Sequence, residues 1–75
     1  MQKYSERYIK YMEKMGESIK TIRIEKGYSV KLLAQKTKFS KNYISNLEKG
    51  RALGTTMSRI IKIANALDVN LSSIC

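Results

Sequence analysis

Apolar side chains recur along this chain at helical rather than alternating spacing. Tyr4, Tyr8, Tyr11, Met12 and Met15 are separated by steps of four, three, one and three, which gathers them on one helix face. Lys3, Arg7, Lys10 and Lys14 take the other sides, and Ser5 offers an alternative cap for a later start. Gly16 disfavours helix by roughly 1 kcal/mol relative to alanine, which predicts a break or a fresh start there. A further helix is expected from Glu17 to Lys26. Its core side is Met15, Ile19, Ile22 and Ile24, and its basic side Lys20, Arg23 and Lys26. Gly27 suits the left-handed position just past its end. Ser29 suits the N-cap of the next helix, without a capping box, because Leu32 stands where a Glu or Gln would complete one.

The stretch 30–49, VKLLAQKTKFSKNYISNLEK, organises the rest. A helix of about 30–36 offers Leu33 and Ala34 to a core. A turn comes next at Thr37, Lys38 and Phe39. Ser40 then caps a helix of about 41–49, which offers Ile44 and Leu47 and ends at Gly50. Two short helices joined by a short turn, with small Ala34 where the backbones meet, form the helix-turn-helix arrangement. Lys41, Asn42, Tyr43, Ser45 and Asn46 fall on the outer faces of the second helix, and those side chains suit base edges and phosphates. Residues 51–54 read as a loop, and Thr55 or Thr56 caps a fourth helix. Met57, Ile60, Ile61, Ile63, Ala64 and Leu67 make that helix broadly apolar. A turn at 68–70 leads to a last helical turn, Leu71 to Cys75. The whole pattern is all-α.

Charge sharpens this picture. The net charge is +9, and it is uneven. Residues 20–51 carry nine basic and two acidic side chains, a net +7, while the segments on either side carry +1 each. A basic surface centred on the helix-turn-helix favours a polyanion and steers it in. Seventy-five residues make one small domain, with a core of limited size whose stability is modest or shared with a partner subunit. A single cysteine, Cys75, forms no internal disulfide and fits a reducing cytoplasm. There is no histidine, no paired-carboxylate spacing, no Cys/His cluster for zinc and no glycine-rich phosphate loop. The expectation is a protein that is not an enzyme, with no metal, no cofactor and no evident small-molecule ligand. No apolar run approaches the ~18–20 residues that span a bilayer, so no membrane association is expected.

Beyond these readings, IRIEKGYS, KLLAQKTKFSKNYISNLEKGRA and IIKIANALDVNLSSI, in that order, resemble the phage Cro/repressor-like helix-turn-helix family. The resemblance covers about residues 15–75. It implies a compact five-helix bundle, to which residues 1–14 add an N-terminal helical extension. Two positions depart from the family pattern. Val30 stands where the family usually has a Gln that meets a phosphate, and Lys38 stands in the turn where Gly is common. Carried over, the family implies base contacts from Lys41, Asn42, Tyr43, Ser45 and Asn46. It implies phosphate contacts from Ser29, Lys49 and Arg51, and a structural ion pair between Arg23 and Glu48. Tyr43 has packing beside the turn as its alternative role.

The function this implies is a sequence-specific regulator that binds double-stranded DNA as a homodimer on a two-fold operator, as a small repressor or a controller-type protein. The antitoxin of a toxin–antitoxin pair is one alternative. A protein-interaction module that docks a partner through the tyrosine-bearing N-terminal helix is another. For the dimer, Met57, Ile61, Leu71, Ile74 and the Tyr4–Tyr8–Tyr11 stripe are the candidate interface.

Overall fold

The computed structural model describes residues 4–74. Lys3 and Cys75, named above on the first helix and in the last turn, lie outside them. Four α-helices succeed one another: α1 (Glu6–Glu25), α2 (Val30–Thr37), α3 (Lys41–Glu48) and α4 (Met57–Ala66). A 3-10 turn, Leu71–Ser73, completes the bundle.

Short polar side chains start all four helices. Ser5, Ser29, Ser40 and Thr56 each accept a hydrogen bond from the backbone N–H three residues on, satisfying one of the donors a helix start leaves free. The helix ends are equally local. Past α1, the Gly27 N–H donates to Ile24 O and the Tyr28 N–H to Arg23 O, with Gly27 at φ +75°. Past α3, Gly50 and Arg51 repeat this pattern on Leu47 O and Asn46 O. Past α4, Asp68 takes the left-handed position at φ 57°.

The break expected at Gly16 is absent. Residues 6–25 form one helix of 20 residues, about 30 Å long, and the boundary drawn between residues 14 and 15 falls inside it. Gly16 serves a close approach instead. A Cβ there would lie 2.2 Å from Leu47 O and 2.8 Å from Glu48 O, so the α1 backbone rests on the last turn of α3. The extension and the first helix of the bundle are therefore one element, and the five-helix expectation becomes four α-helices and a 3-10 turn.

The core is built from every element. Ile19 of α1, Leu33 of α2, Ile44 and Leu47 of α3, and Ile63 of α4 with Leu67 just past its end are fully buried, and Met12, Ala34, Ile60, Ala64 and Ile74 nearly so. Two expectations are corrected. Ile24 is 57% exposed, because in the last turn of α1 it stands off the stripe of buried residues Met12, Gly16, Ile19 and Arg23. Ile74 closes the core at 2% exposure and is not available to a dimer interface.

Candidate nucleic-acid interface

The turn between α2 and α3 sets the angle of the second helix. Lys38 sits in the left-handed region at φ 64°, ψ 19°, the conformation for which glycine is the usual choice; a side chain there costs on the order of 1 kcal/mol. The fully buried Thr37 holds that turn. Its hydroxyl donates to Leu33 O at 2.9 Å and accepts from the Phe39 N–H at 3.3 Å.

α3 turns Ile44 and Leu47 inward and Lys41 and Asn42 outward, at the first turn of the helix. Ser45 and Asn46 are partly exposed on the same helix, and Ser29, Lys49 and Arg51 lie exposed on the flanking segments. Ser29 spends its hydroxyl on the Leu32 N–H at 3.0 Å. Tyr43 is turned toward α4 instead of standing free. Its hydroxyl is hydrogen-bonded to Thr55 Oγ1, its ring meets Phe39 edge-on at 5.1 Å, and the Arg59 guanidinium lies 5.5 Å from its centroid.

The far end of α3 is fixed by charge. Arg23 Nε donates to Glu48 Oε2 at 2.6 Å and Nη2 to Oε1 at 3.1 Å, while Nη1 donates to Tyr28 O at 2.7 Å. The side chains are 11% and 6% exposed. This two-pronged pair binds α1, the turn after it and the end of α3 into one unit.

Sequence periodicity did not single out Arg59, Lys62 or Thr55 for the interface. Arg59 and Lys62 lie on one side of α4, three residues apart, over Tyr43 and Phe39 respectively, so two further cations flank the start of α3. The signal was the i, i+3 pair itself, which the charge count of residues 20–51 left out.

The helix-turn-helix family pattern matches residues 19–74. This chain belongs to the helix-turn-helix family. Among its relatives in the family, the HTH-type transcriptional regulator SinR of Bacillus subtilis is 33% identical over 60 residues, 80% of this chain and 54% of SinR. SinR of Bacillus licheniformis gives the same figures. The chain thus spans about half the length of these relatives. The restriction-modification controller protein C.AhdI of Aeromonas hydrophila superposes at a TM-score of 0.80 and 26% identity, over 85% of this chain and 96% of that one. The clp gene regulator ClgR of C. glutamicum also superposes at 0.80, with 25% identity over 85% and 82%. In this helix-turn-helix chain the family match begins partway along α1, so residues 6–18 of that helix lie outside it. Among the described residues no group of His, Cys, Asp and Glu is arranged to hold a metal, and no helix is long and apolar enough to cross a membrane.

Proposed function

We propose that this chain is a sequence-specific transcriptional regulator of double-stranded DNA, of the small repressor or controller type, acting as a homodimer on a two-fold operator in the cytoplasm. The observation that carries the reading is α3 itself. Its inner face is fully buried, its end is clamped by Arg23 and Glu48, and its first turn offers Lys41 and Asn42 to solvent. Lysine donates to O6 and N7 of guanine, and asparagine pairs with N6 and N7 of adenine. Asn46 lies one turn beyond Asn42 on the same face. Lys49 and Arg51, with Arg59 and Lys62, supply cations for the phosphates on either side. Similarity to the regulators named above supports the same reading, and C.AhdI supports its controller form.

Exposed Met57 and Ile61, four residues apart on α4, support a homodimer. For the interaction-module alternative, Tyr4 and Tyr8 are occupied within the chain, stacked on each other at 5.2 Å with the Tyr8 hydroxyl taken up by Gly54, and Tyr11, 66% exposed, is the part of the stripe that it leaves for a partner.

Site selection from a random duplex pool, combined with titration at several salt concentrations, tests the proposal. Log affinity should fall linearly with log salt, by about 0.9 per phosphate neutralised. Lys41→Ala or Asn46→Ala should cost about 1–3 kcal/mol on the selected site and relax one position. Arg51→Ala should weaken all sequences alike and lower the slope by about 1. A flat salt dependence of the wild-type protein would sink the DNA reading.

A further inference from the structure

The half of α1 that lies outside the family match touches the loop after α3 at two points. At one end of that loop, Gly50 has φ +75°, and a Cβ on it would come within 2.7 Å of Glu13 Cα and 3.0 Å of Glu13 N. The loop start is thus laid directly on the α1 backbone. At the other end, the Gly54 N–H donates to Tyr8 Oη at 3.0 Å. Tyr4 stacks on the Tyr8 ring, and its hydroxyl lies 2.8 Å from where a Gly54 Cβ would be. Arg51 stands between these two anchor points. Its backbone N–H donates to Asn46 O at 2.8 Å, which ties it to the recognition helix as well. Just beyond the second anchor, Thr55 holds the hydroxyl of Tyr43.

We infer that Tyr8 is a positioning residue for DNA binding: through its hydrogen bond to Gly54, the N-terminal half of α1 fixes the 50–55 loop and so fixes where Arg51 meets the phosphate backbone. The inference rests on the DNA-binding reading above. Its physical basis is entropy. A short span between two glycines has wide backbone freedom, and a cation on a mobile loop must be ordered at the moment of binding. The two anchors order that loop before DNA arrives. Tyr8 touches no nucleic acid in this scheme. It acts through Arg51.

The test uses the full chain, with the duplex that the wild-type protein selects from a random pool as probe, and Tyr8→Phe, Arg51→Ala and the double variant. Amide exchange at Gly54 reads the anchor without any DNA. In Tyr8→Phe it should quicken by about 2- to 10-fold, the worth of one hydrogen bond. Duplex affinity should fall by about 3- to 10-fold with helicity and melting transition nearly unchanged, and the same change made on Arg51→Ala should have little further effect. Tyr8→Ala, which also removes the ring that Tyr4 stacks on, should deepen the loss. Unchanged affinity in Tyr8→Phe overturns the inference. So does a loss of the same size with Arg51 already removed, since that marks a general structural role. Absence of any selected duplex for the wild-type protein overturns the DNA-binding reading and this inference with it, and it is told apart because it appears before any substitution is made.

Discussion

Arg23 and Glu48 lie 25 residues apart in sequence and share one nearly dry contact. Two desolvated charges stabilise a fold only where their geometry is good and their remaining donors are satisfied. Here both carboxylate oxygens are used, and the third guanidinium bond goes to Tyr28 O. Removing one partner leaves the other charge buried and unpaired. Glu48→Ala is therefore expected to cost about 3–5 kcal/mol in denaturant melts, where an exposed pair would cost ~1 kcal/mol or less. At this scale the caps were legible in the sequence, because a Ser or Thr three residues before a helical N–H is a local signal. Ser29 and Ser40 needed no knowledge of the fold, while the same signal left Ser5 as an alternative start and Thr56 level with Thr55 until the structure chose them. The Tyr43–Thr55 bond was not legible: it depends on how one segment crosses another, and neither residue type announces a partner.

Among the elements, α1 shows where local reasoning was overruled. Helix propensity sets glycine about 1 kcal/mol below alanine, a difference that marks a break only when nothing else acts at the site. At Gly16 the α3 carbonyls act. The contact between helices needs the missing side chain, and the packing gained carries the helix through. Gly16→Ala sets the two effects against each other. Propensity favours alanine by about 1 kcal/mol, but a Cβ at 2.2 Å from a backbone oxygen forces α1 and α3 apart, and overpacking typically costs about 1–3 kcal/mol. The backbone at Leu47 has no rotamer through which to yield, so the expected outcome is a lower melting temperature despite better intrinsic helicity. A stabilised variant would show that α1 can shift along α3 at little cost. The tyrosine stripe of the same helix was visible in the sequence. That Tyr4 and Tyr8 meet the loop after α3 while Tyr11 stays 66% exposed was not, because one helix's periodicity names a face without naming what covers it.

For the molecule as a whole, size and surface bear on assembly. One recognition helix reads only a few base pairs, and a single basic domain of this size gains most of its remaining affinity from phosphates. A two-fold pair places two such helices on half-sites about one helical turn apart, which links the two gains. The sequence showed an apolar surplus on α4, and the structure divides it. Ile60, Ile63 and Ala64 are consumed by the core, while Met57 at 57% exposure and Ile61 at 42% remain outside it. A pair of exposed side chains one turn apart is a small patch, so a dimer built on it should be weak to moderate in affinity and strengthened by DNA. Sedimentation across a wide concentration range should show monomer passing to dimer, with the transition moving to lower concentration when the two-fold duplex is present. Ile61→Glu should hold the chain as a monomer. It should weaken binding to the complete duplex far more than to a single half-site, because only the complete site uses both subunits. Monomer alone at every concentration, with the two-fold duplex present as well as without it, would rule out the homodimer and leave each recognition helix to act by itself.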